Sequence, residues 1–477
     1  MSNNLDLYEI VVGLEVHVEL ATKTKMFCSC KNTFGALPNT HVCPVCKGLP
    51  GALPSLNGRA VEYAVRAGLA LGCEISHVSR LDRKGYFYPD LPKGYQISQA
   101  EYPLCVGGGV DISTSEGKKR IRIERIHIEE DAGKLIHSDS EGTLIDLNRC
   151  GVPLIEIVSY PDISSAEEAK AYLSELRSII LYTGVSDCKL NEGSFRCDVN
   201  LSVRRKGDTA LGTRTEMKNI NSFNFVAKAI EYEAARQISV IEGGGTIVRE
   251  TRRFDSQSGK THTLRKKEAV ADYKFAREPD ILPFSIDPHT IENIRASLGE
   301  LPSAKIERYK RDFGICDADA RILVSRPSLC AFFEQVASLT SHVRTAANII
   351  ISELLASVNA DEFECHLSPA DLALIADMCA ERTVNSSTVK RIIKLLGESE
   401  YGGYTPDRLV RELDLAQISD VDVLEKALST TLKQSPKLLA DYKGGKSAAK
   451  KAIVGKVMAL TNGKADPVIV SELIEKL

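Results

Sequence analysis

The chain has 477 residues, which at about 100 to 200 residues per domain provides for two to four domains with ample core. Its 61 basic and 64 acidic residues leave a net charge of −3, which excludes a globally basic nucleic-acid binder and confines any RNA contact to local patches. No run of 18 apolar residues marks a membrane helix and Met1 to Ile10 lacks a basic-then-apolar leader, so a cytoplasmic protein is expected, whose 13 cysteines are core residues, free thiols or metal ligands rather than disulfides.

The first predicted element is a strand over Val12 to Leu20, where strict alternation puts Glu15, His17 and Glu19 on one face and aliphatic residues on the other. Taken alone, this reads first as the solvated face of a half-exposed strand rather than as a site. The Gly- and Pro-rich loop that follows carries Cys28-Ser29-Cys30 and, after twelve intervening residues, Cys43-Pro44-Val45-Cys46. Two short-spaced pairs can surround zinc tetrahedrally, and a closed four-sulfur shell is structural rather than catalytic. His41 stays open as a substitute ligand, because the first pair is spaced by a single residue. The segment Arg83 to Gln96 mixes Arg83, Lys84 and Lys93 with Tyr86, Phe87, Tyr88 and Tyr95, a composition suited to stacking and neutralising an RNA end, although aromatic loops also simply pack.

A second strand, Arg125 to Asp131, ends in Glu129-Glu130-Asp131, a repulsive run unless solvent or a cation neutralises it. Oxygen-rich acid clusters suit Mg²⁺, which usually combines one or two carboxylates with substrate phosphates and water. A histidine ligand is unusual for so hard an ion, which leaves Mn²⁺ open or sets His17 behind the ligands. A third strand, Glu192 to Ser202, aligns Ser194, Arg196, Asp198, Asn200 and Ser202 on one face. The next, Thr213 to Ser222, aligns Arg214, Glu216 and Lys218, whose cations suit phosphate oxygens.

Strand-like alternation gives way to helical periodicity near residue 300, after the extended, Pro-stiffened run Glu278-Pro279-Asp280-Ile281-Leu282-Pro283. Domains are therefore expected at 1–295, 296–405 and 406–477. Ser368-Pro369-Ala370-Asp371 predicts a capped helix start, a second helix begins near Ser387 and stops at Gly397, and Tyr401 to Pro406 forms a linker. Between Tyr442 and Ala465 lie Lys443, Lys446, Lys450, Lys451, Lys456 and Lys464 without an acid. In one helix, Lys443, Lys446 and Lys450 would share a face toward an RNA backbone, although a lysine run is more often a solvated surface. Gly445-Lys446-Ser447 only mimics a phosphate loop, since Ala440 stands where its first glycine belongs.

Gly13 to Leu20, Asn39 to Cys46, Tyr86 to Gln96, Ile126 to Lys134, Gly151 to Glu156 and Glu192 to Asp198 together resemble the B subunits of the aspartyl/glutamyl-tRNA amidotransferases over almost the whole chain. Tyr442 to Lys446 and Gly455 to Met458 resemble the YqeY-type tail of that family, whereas Ala276 and Arg277 depart from an expected aromatic and proline. The resemblance implies an α+β fold: a mainly antiparallel, cradle-like catalytic domain using ATP and Mg²⁺, then a helical domain and a small helical, tRNA-holding tail. It implies a carbon–nitrogen ligase acting on Glu-tRNA(Gln) or Asp-tRNA(Asn) in a heterotrimer with two partners, the amidase (the A subunit) and a small protein (the C subunit). Phosphorylation of the aminoacyl side-chain carboxylate would precede its amidation by ammonia. On this basis Glu15, His17, Glu129, Glu130 and Asp198 are the expected catalytic residues, the first four of them around Mg²⁺. Arg196, Arg214 and Lys218 are the phosphate candidates, and Lys443, Lys446, Lys450 and Lys451 face tRNA. No amidase-like nucleophile region is visible, so ammonia must come from the partner. The rival readings are a free-standing ATP-dependent ligase or kinase and a non-enzymatic zinc-bearing RNA-binding protein.

Overall fold

A computed structural model describes residues 5–266, 273–358, 363–444 and 446–477; Gly445 of the phosphate-loop mimic lies outside them. The chain divides into two compact units, Met1–Leu301 and Pro302–Leu477.

The first unit is built on a ten-stranded sheet. Its principal strands are β1 (Tyr8–Glu19), β2 (Gly117–Glu130), β3 (Pro153–Ser159), β4 (Phe195–Arg205), β5 (Thr215–Lys218), β6 (Glu250–Asp255) and β7 (Lys260–Lys266). They are ordered β7-β6-β5-β4-β1-β3-β2, with short strands continuing beyond β2. Only the β5–β6 pair among them is parallel. The alternation read from the sequence is present in β1: Val12, Leu14, Val16, Val18 and Leu20 are at most 1% exposed, and the intervening acids and histidine point the other way. Helices α1 (Gly58–Ala70), α2 (Ala166–Thr183) and α3 (Phe223–Glu242) supply the apolar cover. Tyr172, Leu173 and Leu176 of α2 and Val226 and Ile230 of α3 join the strand residues in one core, each buried aliphatic side chain contributing roughly 1.5–3 kcal/mol. α2 starts on the Ser165 cap and stops at Gly184, whose φ of 70° a residue with a Cβ adopts at a cost. Because the helices cover one face, the polar face of β1 to β5 is left for chemistry.

Ala276 and Arg277 form a short strand against Arg83 and Asp82. The pairing uses backbone groups, so a departure in side chains at these positions leaves it intact.

The second unit is helical. Ser368 caps helix Pro369–Ala380 in a reciprocal capping box with Asp371, and the next helix runs Ser386–Leu396 from the Asn385 cap, with Gly397 at its end. Helix Pro406–Glu412 packs on both. A separate core of Leu424, Leu428, Ile453, Val457, Val470 and Ile474 holds the helices from residue 421 onward. The single lysine-bearing helix expected in the tail is two helices, Pro436–Lys443 and Ser447–Leu460, interrupted after Lys443 at Gly444. Lys446 sits at the N-cap of the second, so Lys443, Lys446 and Lys450 do not share one helix face. No described helix is long and apolar enough to cross a membrane.

Candidate active site and metal centres

Antiparallel register assembles the polar face. His17 of β1 lies opposite Glu156 of β3 and Arg196 of β4, and Glu156 lies opposite His127 of β2. Residues directly opposite share a face, so four strands contribute to one row. His17 Nε2 is 3.3 Å from Glu129 Oε1 and 3.6 Å from Glu156 Oε2, and His127 Nε2 is 3.1 Å from Glu156 Oε2. Burial alone would lower both histidines, but Glu156 and Glu129 outweigh it and raise each to about 9. Burial would likewise raise the carboxyls, yet His127 and His17 hold Glu156 down at about 2 and Glu129 well below its ordinary range.

A second cluster adjoins it. Glu15 lies opposite Asp198, and their oxygens gather with one from Glu216 within 4.8 Å of one another. Asn200 Nδ2 donates to Glu15 Oε1 at 2.9 Å, Lys218 pairs with Asp198, and Lys218 Nζ is 3.1 Å from Glu216 Oε1. Burial and then the neighbouring Glu156, Asp198 and Glu216 carboxylates raise Glu15, with the Lys218 cation opposing them.

Of the four residues grouped around Mg²⁺ from the sequence, the structure brings His17 and Glu129 into one cluster and Glu15 into the other. Glu130 is in neither group: successive strand side chains point to opposite faces, and Glu130 pairs with Lys93 and accepts from Ile97 N–H at 2.9 Å. Arg196 donates to Asp131 Oδ2 at 2.6 Å, and Arg214 is exposed just before β5. Glu156, His127 and Glu216 complete the clusters. Glu156 carries a usable sequence signal, being the only charged residue in the apolar run Pro153–Ser159. His127 stands two residues before Glu129 in the predicted strand, where alternation places both on one face. The donor sets fit divalent cations: the first, with its imidazole, is suited to Mn²⁺ as well as Mg²⁺, and the second offers only oxygens.

The cysteine centre lies in the loop between β1 and α1. Cys28–Cys30 is turned by Lys25 N–H donating to Cys30 O at 3.0 Å, and Cys43–Cys46 by Lys47 N–H donating to Cys43 O at 3.1 Å. Sγ of Cys46 lies 3.6, 3.8 and 3.9 Å from those of Cys28, Cys43 and Cys30. A tetrahedron with Zn–S bonds of about 2.3 Å has edges of about 3.8 Å, so the four thiols fit the ion. Hydrogen bonding from Cys28, helped by the Lys25 ammonium, holds the Cys46 thiol down at about 4. His41 is not in this group; its Nδ1 is 3.3 Å from Thr33 Oγ1.

In the tail, Lys443 and Lys451 are exposed, Lys446 Nζ donates to Asp441 Oδ1 at 2.8 Å, and Lys450 pairs with Glu475.

Fold and site together define an α+β protein whose mainly antiparallel sheet carries one histidine–carboxylate cluster and one carboxylate cluster with donor atoms suited to divalent cations, followed by a helical unit. A family model described as the GatB/GatE catalytic domain matches residues 10–292, and one described as a GatB domain matches residues 331–477. The chain belongs to the GatB/GatE family. It is 48% identical over 476 residues to the B subunit of the aspartyl/glutamyl-tRNA(Asn/Gln) amidotransferase of Caldicellulosiruptor saccharolyticus, covering 98% of each chain. The protein of the same name from Thermodesulfovibrio yellowstonii is 47% identical over 473 residues, covering 98% of this chain and 99% of the relative.

Proposed function

We propose that this chain is the B subunit of a glutamine-dependent amidotransferase that converts Glu-tRNA(Gln) or Asp-tRNA(Asn) to the amide form. ATP would phosphorylate the side-chain carboxylate on the tRNA end. Ammonia from the amidase partner (the A subunit), assembled with the small C subunit, would then displace phosphate. The observation that carries this reading is the histidine–carboxylate row on the polar face of the sheet, within the segment matched by the catalytic-domain family model.

His17, Glu129 and Glu156 would hold one divalent cation, and Glu15, Asp198 and Glu216 a second. Bound there, such ions neutralise phosphate oxygens and the charge that develops during transfer. Glu156 and Glu129 fix the rings of His17 and His127. Lys218 and Arg196, already held by Asp198 and Asp131, are pre-oriented cations for phosphate. The four cysteines would bind a structural zinc, and the exposed tail lysines would face tRNA.

Purified with its amidase partner, the chain should hydrolyse ATP and form amide only when a mischarged tRNA is supplied, and assays with both mischarged tRNAs identify the substrate. ATP turnover without tRNA would favour a free-standing ligase or kinase. Binding of tRNA without any turnover would favour a zinc-bearing RNA-binding protein.

A further inference from the structure

Lys25 is 0% exposed, and a lysine this deeply buried normally pairs with a carboxylate. Among the described residues no carboxylate lies within ion-pairing distance of it. Its ammonium donates to His41 O at 2.8 Å and Leu147 O at 3.2 Å, and lies 3.5 Å from Cys46 Sγ. Two carbonyl dipoles leave the positive charge unbalanced, and the sulfur is the remaining candidate for its counter-ion. The converse holds for the cysteines: four thiolates around Zn²⁺ carry a net charge of −2 in a half-buried loop, with a need for compensation.

We propose that Lys25 is the fixed counter-charge of the four-thiolate zinc centre, reducing its local charge from −2 to −1, and that zinc retention depends on it. The inference rests on the zinc reading of the four cysteines. The backbone prepares the arrangement. Lys25 N–H closes the first cysteine turn on Cys30 O, so the residue that shapes one half of the centre sends its side chain to a sulfur of the other half. The bond to Leu147 O also ties the centre to the chain entering β3.

The test is zinc content and the rate of zinc transfer to a chromophoric chelator, measured on the full chain. Lys25→Met is expected to release zinc about 10- to 100-fold faster than wild type, the range typical for loss of a residue supporting metal ligands. Lys23→Met, at an exposed neighbouring lysine, is expected to match wild type. The double variant Lys25→Met/Cys43→His replaces one thiolate by a neutral imidazole and restores the local charge of −1, so it is expected to return zinc retention to within a few-fold of wild type. A residue that only bridged loop segments would not be rescued by that change. Should Lys25→Met alone fail to fold, a folded, zinc-loaded double variant supports the inference and an unfolded one overturns it. Zinc-loaded wild type with unchanged release from Lys25→Met, or no rescue in the double variant, overturns the counter-charge role alone. Wild type without zinc overturns the zinc reading and this inference with it.

Discussion

At the scale of single residues, two adjacent acids should behave differently because strand alternation separates them. Glu129→Gln and Glu156→Gln, on the polar face, should each lower amide formation by about 100-fold or more, a loss of about 2.7 kcal/mol of transition-state stabilisation, while the partner's glutamine hydrolysis persists at least in part. Glu130→Gln removes the buried carboxylate that pairs with half-buried Lys93 and should be read first as lost folding stability, with the divalent-cation dependence of the remaining activity unchanged. Steady-state assays titrated with Mg²⁺ and Mn²⁺, alongside urea unfolding, distinguish the two; an unchanged rate for both Glu129→Gln and Glu156→Gln would remove the row from the chemistry. At the cysteine centre, metal analysis should find about one zinc per chain. Cys43→Ser should lower folding stability more than intrinsic chemistry, as expected of a closed site.

At the scale of elements, α3 is fastened to the far end of the sheet through one buried carboxylate. Glu233 accepts from Thr215 Oγ1 of β5 at 3.0 Å, from Thr261 Oγ1 of β7 at 2.8 Å and from Arg236 Nη2 at 2.6 Å, and Arg252 Nε of β6 lies 3.2 Å away. Burial would raise this carboxyl, but Arg236 and its other donors hold it below its ordinary 4.5. The sign follows: Glu233 contributes stability above about pH 4.5, and that contribution is lost as acidification carries the pH down through the folded value. Glu233→Ala should cost roughly 3–5 kcal/mol at neutral pH and flatten the acid limb of stability as the pH falls below the ordinary 4.5. Denaturant unfolding across that range measures both effects. The helix caps were legible in advance, since Ser368-Pro369-Ala370-Asp371 carries its own local partners; the Glu233 tether was not, because its donors come from three strands and an arginine distant or unremarkable in sequence.

At the scale of the whole molecule, tRNA affinity should depend on salt through the tail lysines. Lys446 and Lys450 already hold Asp441 and Glu475, whereas Lys443 and Lys451 are exposed at the end of one helix and the start of the next. The double variant Lys443→Ala/Lys451→Ala should therefore lower the salt slope of tRNA binding by about 1 to 2 while leaving ATP affinity unchanged. Lys446→Ala/Lys450→Ala should weaken tRNA binding with a smaller change in slope, because those cations must first leave their intramolecular acids. Unchanged affinity and slope in both double variants would make the lysines a solvated surface.

The sequence by itself determined what is local: the polar and apolar faces of β1 and β4, the two cysteine turns and their spacing, the capped helix at Ser368, and the motif strings shared with the family. These follow from two-residue alternation, short turns and side chain-to-backbone capping, which operate within a few residues. Only the tertiary structure decided that Glu156, His127 and Glu216 join the site and that Glu15 belongs with Asp198 rather than with Glu129. Strand order and register come from hydrogen bonds between segments far apart in the chain, so a strand's own alternation fixes which face a residue occupies but not what stands opposite it. Glu130 marks the boundary between the two kinds of information: read as one of three consecutive acids it joins the cluster, whereas the pleat of its strand turns it to Lys93 on the other side.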